Sequence, residues 1–256
     1  WSAAGMLSAN GGDYLSSLPK YDKAQDIYTK MLDDLKAFST ELNTLTVPAA
    51  IQTAFNTQDF VLKGSKAAWT KYCNSLRLRM LTRVSGSSEL GARATSEIGA
   101  MIAAPATFPL VSSNAENIQI NVFSTSTPVA GSNFQGGLED WNGNLASKAM
   151  IDHMNTNADP RLPALFEPGT AAGGVYKGID QMASSQVTDA LVLTNTVSMY
   201  NRSTTSRNLF FPGVLINAAE VSFHLAEAYL KAGDLANAKA AYNKGIDQST
   251  EYYYNL

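Results

Sequence analysis

Cysteine is almost absent from this 256-residue sequence: Cys73 stands alone, so no intrachain disulfide can form. It sits inside a helical pattern and reads as a small buried hydrophobe before it reads as a nucleophile. Histidine is nearly as scarce. His153 and His224 are far apart, and neither belongs to an HExxH or other metal-ligand pattern, so no metal or cofactor is expected. Charged residues are only 16% of the chain, with 19 basic against 22 acidic side chains and a net charge of −3. That balance argues against a duplex nucleic-acid binder, which needs a basic face to displace counterions. No Lys/Arg cluster could hold an anionic membrane either; Arg77, Arg79 and Arg83 scatter around a helical turn. No apolar run approaches the ~18 residues of a membrane span. The chain opens on Trp1 rather than Met and stops at Leu256 just after a helix, so it is expected to be an internal piece. Abundant Asn, Ser and Thr suit a secreted or surface protein.

What is present is helical periodicity. From Ala218 to Leu230 a pattern runs through Val221, Leu225, Ala228 and Tyr229, until Gly233 stops it as a C′ residue and Asp234 caps the next helix. That second helix carries Leu235, Ala238, Tyr242, Gly245 and Ile246 on one face. Leu225, Ala226, Tyr229, Gly233, Leu235, Ala238, Tyr242 and Ile246 fall in tetratricopeptide register, small residues where two backbones approach and large ones beside them. The spacing predicts antiparallel helices with Ala226 and Ala238 buried at the crossing and Tyr229 and Tyr242 in the core; an ordinary helical hairpin is the alternative. Tyr21, Ala24, Tyr28 and Leu32 form a partial second copy over about residues 21–38, after a loop from Asn10 to Leu18. Lys63 to Arg83 forms a helix whose apolar face, with Trp69, Tyr72, Leu76 and Met80, predicts core. A further helix spans about Ser88 to Ala103.

From Pro105 onwards the chain turns loop-rich to about residue 212. Only Asn117–Phe123 alternates like a strand, a short helix runs from Ser147 to about Met154, and Ala190–Leu193 is predicted as a strand. Long irregular segments in a helical frame are often functional. The expected fold class is therefore mainly α: a tetratricopeptide-type helical scaffold with long irregular loops and a few short strands, read as a single domain over 1–256.

Enzymatic motifs are missing. There is no GxSxG, GxxxxGK[ST] or GxGxxG. Ser17-Leu18-Pro19-Lys20 matches SxxK in letters only, since Pro19 breaks the turn that would join its ends. Asp140-Trp141-Asn142-Gly143-Asn144 begins like a calcium loop, then puts Leu145 where Gly is needed and Ile151 where a bidentate Glu is needed. Glu139 and Asp140 are sequence neighbours, which rarely face one point as an acid/base pair. A non-enzymatic protein is expected.

Several segments together resemble the SusD/RagB family of outer-membrane nutrient-binding lipoproteins. They are Tyr21-Asp22 with Ile27-Tyr28 and Asp34-Leu35; Trp69-Thr70-Lys71-Tyr72 with Asn74-Ser75-Leu76-Arg77-Leu78-Arg79 and Arg83; Asp159-Pro160-Arg161-Leu162-Pro163; and the run from Glu220 through Ala226-Glu227-Ala228, Gly233, Ala238, Tyr242 and Gly245-Ile246 to Ser249. They look most like the starch-binding-associating SusD-like branch. The resemblance implies a tetratricopeptide scaffold under a loop-rich ligand face, an N-terminal lipid at the bacterial cell surface, and a TonB-dependent (SusC-like) outer-membrane transporter as partner. It implies capture of a glycan, or of a peptide, without cleavage; a tetratricopeptide adaptor for a protein partner is a further alternative.

Sugars are held by an aromatic face with Asn, Asp, Gln or Arg on the hydroxyls. The expected ligand residues are Asn133, Phe134, Asp140, Trp141, Asn142 and Asn144, with Gln135 beside them, in what reads as the least regular segment. Tyr176 and Tyr200, with Asn201, form a second candidate surface. Trp141 could equally anchor its loop to the body. Arg77, Arg79 and the Asp159-Pro160-Arg161 turn read as scaffold, the arginines pairing with carboxylates of neighbouring elements.

Overall fold

The computed structural model describes residues 21–122, 124, 134–140 and 144–256. In chain order the helices are α1 (Ala24–Thr44), α2 (Ala49–Gln58), α3 (Lys66–Val84) and α4 (Gly91–Ala103). Strand β1 (Ile118–Ile120), α5 (Phe134–Glu139), α6 (Lys148–Thr156), the single turn α7 (Leu162–Leu165) and β2 (Phe166–Glu167) follow. The remainder is α8 (Ser185–Leu193), β3 (Met199–Tyr200), a π-type turn over Arg202–Ser206, β4 (Gly213–Ile216), α9 (Ala218–Lys231) and α10 (Leu235–Tyr254). The chain forms two compact units, one of residues 1–112 and 223–240, the other of 113–222 and 241–256.

In the first unit α3 packs along α1 and against α4. Ser65 starts α3 by accepting the Ala68 N–H at 3.2 Å. The residues expected to be its core face are displaced. Met80 is buried, but Trp69, Tyr72 and Leu76 are only half-buried, and the inward face is Thr70, Cys73, Asn74, Ser75, Arg77, Leu78, Leu81 and Val84. The polar members are buried because they are bonded. Asn74 Nδ2 donates to Pro109 O at 3.2 Å, and Ser75 Oγ accepts the Val111 N–H at 3.0 Å. Arg77 donates through Nε and Nη2 to one oxygen of Glu97 in α4, at 3.0 and 2.5 Å. Arg93 then joins Glu97 Oε1 at 2.7 Å and Asp33 of α1 at 2.6 Å, so one chain of charges ties three helices. This is the carboxylate pairing expected of the α3 arginines, realised at Arg77.

Trp69 has a different task from the one its periodicity suggests. Its Nε1 donates to Asp59 at 2.8 Å, and the same carboxylate accepts the N–H groups of Val61, Leu62 and Gly64. Burial raises the Asp59 pKa, but these donors outweigh it and hold the carboxyl below its ordinary value. Gly64 sits at φ +71°, and a methyl there would meet Asn56 N at 2.8 Å. Cys73 is buried as expected, and burial pushes its thiol up.

In the α9–α10 hairpin the two small residues of the repeat register are buried, Ala226 and Ala238 each 8% exposed. Gly233 turns the chain at φ +79°, and Asp234 caps α10 through Asn237 N at 3.1 Å. At the large residues the expectation fails. Tyr242 is 55% and Leu235 66% exposed, and Tyr229 is half-buried. Two helices close over the line where their small residues meet; the outward positions of the same register need another layer to cover them.

In the second unit β1 pairs antiparallel with β4, and β2 with β3. A cluster of Ala146, Ile151, Met154, Leu162 and Phe166 forms its core, with Leu165, Tyr176 and Tyr200 packed on it. The Asp159-Pro160-Arg161 turn is a scaffold element. Asp159 accepts from Arg161 Nε at 2.9 Å, and Arg161 Nη1 reaches Ser249 of α10 at 3.0 Å. The strand expected at Ala190–Leu193 is instead the end of helix α8, capped by Ser184. A four-residue apolar run does not separate strand from helix; the cap and its length decide. The Asn10–Leu18 loop lies outside the described residues.

Gly178 is needed for close approach. Lys148 N–H donates to Ile179 O at 2.7 Å and Ile179 N–H to Ala146 O at 2.8 Å, which draws the two segments together. A methyl at Gly178 would lie 2.5 Å from Lys148 N and 2.6 Å from Ser147 C. Gly178→Ala is expected to lower stability by roughly 1–3 kcal/mol through backbone displacement. An unchanged thermal midpoint would show that the segment yields freely.

Candidate functional site

The segment expected to carry the ligand is more regular than its composition suggests. Phe134–Glu139 forms one short helix, α5, and Asp140 follows it, exposed. Gln135 Nε2 donates along this turn to Glu139 Oε2 at 3.3 Å. Asn133, Trp141 and Asn142 lie outside the described residues.

Asn144 and Tyr200 are brought together by backbone, because the Tyr200 N–H donates to Asn144 O at 2.7 Å. Asn144 is itself buried. Tyr200 is half-buried, its ring stacked on Phe166 with centroids 5.1 Å apart and planes 24° apart. Tyr176 packs on the same cluster, and burial pushes its phenol up. Both tyrosines thus anchor to the core by one face. Asn201 accepts the Ser203 N–H at 3.0 Å and donates to Pro163 O at 2.9 Å, a turn-forming role.

Beside α5 a cleft of about 310 Å³ opens, lined among others by Glu139, Asn144, Thr170, Asn195, Arg202 and Arg207. Arg207 grips Glu139 with Nε at 2.9 Å and Nη2 at 2.8 Å, and Ser206 Oγ adds a bond at 2.7 Å. These donors, Arg207 first, bring the Glu139 carboxyl down to about 2. Arg202 pairs with Glu167 on the same side. Asn195 takes positive φ, +53°. The arginines were not legible in the sequence, since Glu139 and Arg207 stand 68 positions apart within the loop-rich region and share no motif. The arrangement offers amide, hydroxyl and guanidinium groups in a shallow polar cleft. Among the described residues no group of three or more His, Cys, Asp or Glu could hold a metal ion, and no helix is long and apolar enough to cross a membrane.

Fold and site define a class: a mainly helical scaffold with a tetratricopeptide-type hairpin and a loop-rich unit bearing polar clefts. The chain belongs to the SusD-like family described as starch-binding associating with outer membrane, whose profile matches residues 5–256. It is similar to a SusD-like protein of Bacteroides thetaiotaomicron solved by crystallography, at 25% identity and TM-score 0.66, covering 92% of this chain and 46% of that one. A SusD homolog from Bacteroides vulgatus matches at 26% identity and TM-score 0.67, over 91% and 45% of the two chains. A chitin-binding SusD homolog from Flavobacterium johnsoniae, at 24% identity, TM-score 0.71, and 91% and 45% coverage, shares the fold. The chain spans about half the length of these solved structures. No curated protein matches it.

Proposed function

We propose that the protein captures a glycan at the bacterial cell surface, without cleaving it, and passes it to a TonB-dependent outer-membrane transporter. The observation that carries this reading is the polar cleft beside α5, where Asn144, Thr170 and Asn195 supply hydroxyl-binding chemistry together with Glu139. The family's description as starch-binding supports the ligand class, and its outer-membrane association supports the location and a lipid anchor. The chitin-binding homolog is consistent with a saccharide. A glycosidase needs one carboxyl protonated as general acid, and the hydrogen bonds from Arg207 and Ser206, which bring the Glu139 carboxyl down to about 2, remove Glu139 from that one role.

In this reading Trp141 stacks on the sugar, with Phe134, Asp140, Asn133 and Asn142 around it and Tyr176 and Tyr200 on the flanking surface. One stacked ring contributes about 1 kcal/mol, so Trp141→Ala is expected to weaken binding roughly fivefold. Calorimetric titration of the full-length protein against a glycan panel, with product analysis, is the test. Equal affinity in the variant removes Trp141 from the site, and released sugar overturns the non-enzymatic reading. Binding of peptides but not glycans would reassign the ligand. Co-purification of a barrel transporter from outer membranes tests the partner.

A further inference from the structure

The second unit holds another cleft, of about 470 Å³, with a lining unlike that beside α5. Side-chain amides dominate it: Asn114, Asn117, Gln119, Asn121, Asn208 and Asn255. Part of this set is committed to the fold. Asn117 Oδ1 accepts the Ala218 N–H at 2.8 Å, and Asn208 Oδ1 accepts the Phe210 N–H at 3.0 Å. That second bond fixes the turn that presents Phe210, whose ring lines the cleft and is 58% exposed.

Gln119 Nε2 donates to Asn121 Oδ1 at 2.7 Å, and three other atoms of the lining carry unmet demand. Asn114 Oδ1, Gln119 Oε1 and the Tyr252 hydroxyl are each shut from solvent with no hydrogen-bond partner among the described residues. All three belong to the wall of this one cleft. A buried polar group left unpaired is costly, and three in one place are uncommon outside sites that something else completes. Burial pushes the Tyr252 phenol up to about 12, so it stays a neutral hydroxyl.

Charge narrows the ligand. Glu251 is the one acidic side chain among the described lining residues, already engaged by Asn114 Nδ2 at 2.8 Å, and no Lys or Arg is among them. Amides that both donate and accept, with an open aromatic ring and no cation, match a polyhydroxylated neutral molecule and disfavour an anion. We propose that this cleft is a second, separate saccharide site, selective for neutral over acidic sugars. The ligand class rests on the capture reading above; the site does not involve the Asn133–Asn144 segment.

The test is calorimetry on the full-length protein with maltotriose, cellotriose and mannotriose, and with trigalacturonate as the acidic probe. Loss of the Phe210 ring is expected to weaken binding of a neutral trisaccharide about 2- to 10-fold. Asn121→Ala should weaken it as well, while Phe210→Trp, which keeps an aromatic face, should retain binding. Neutral binding unchanged in both Phe210→Ala and Asn121→Ala, with Trp141→Ala impaired, overturns this cleft and leaves the capture reading standing. Binding of no neutral trisaccharide by the parent overturns both. Trigalacturonate affinity that falls with Phe210→Ala overturns the selectivity.

Discussion

Arg77→Ala is expected to destabilise the protein by about 3–5 kcal/mol, the usual consequence of removing one partner of a buried ion pair. Arg77 is 1% exposed, and its Nε and Nη2 both donate to Glu97 Oε2. Its guanidinium also lies 5.5 Å from the Phe108 ring centroid. Truncation leaves Glu97 held only by Arg93 on a half-dry face and leaves a void beside Phe108. Denaturant unfolding reads the loss. Arg77→Met combined with Glu97→Gln should recover part of it, since that pair buries no charge. An Arg77→Ala midpoint equal to the parent's would refute the assignment.

The same pair predicts an acid response. Burial raises the Glu97 pKa, but hydrogen bonds from Arg77 and Arg93 outweigh it, and the net shift is downward from 4.5. A carboxyl with a depressed folded-state pKa contributes stability above its unfolded value and loses it as pH falls through the folded value. Stability should therefore decline below about pH 4.5, and the decline should be shallower in Arg77→Ala.

Phe166→Ala is expected to cost about 3–5 kcal/mol as well, through lost burial and the cavity left behind. Phe166 is 1% exposed at the centre of the second unit's cluster, where Ile151, Met154 and Leu162 meet. It is also the platform under Tyr200. The variant should thus lose stability and, with its support gone, the fixed ring of Tyr200, read as a partial loss of near-ultraviolet tyrosine signal, Tyr200 being one of 11 tyrosines. Phe166→Leu should keep much of the stability while losing the ring stack. A normal melt in Phe166→Ala would mean that the cluster refills the space.

How much of this was legible in the sequence depended on where the information was local. The α9–α10 hairpin was readable because its signals lie close together in sequence: Gly233 at positive φ, Asp234 as a cap, and the small buried residues Ala226 and Ala238. Cys73 in the core and the Asp159-Pro160-Arg161 turn were equally local. The inward face of α3 was not, because Asn74, Ser75 and Arg77 read as polar until Pro109, Val111 and Glu97 are brought to them. The end of α8, Ala190–Leu193, reads as strand because a short apolar run has no periodicity of its own.

The sites divide along the same line. Composition alone marked residues 133–144 as chemically suited to a sugar. The tertiary structure alone set Arg207 and Ser206 on Glu139, anchored Tyr200 to Phe166, and gathered Asn114, Asn208 and Tyr252 into one wall. The physical reason is range. Caps, turns and helical faces are decided by neighbours within a few residues, whereas a buried charge or a cleft is decided by partners that only chain closure supplies.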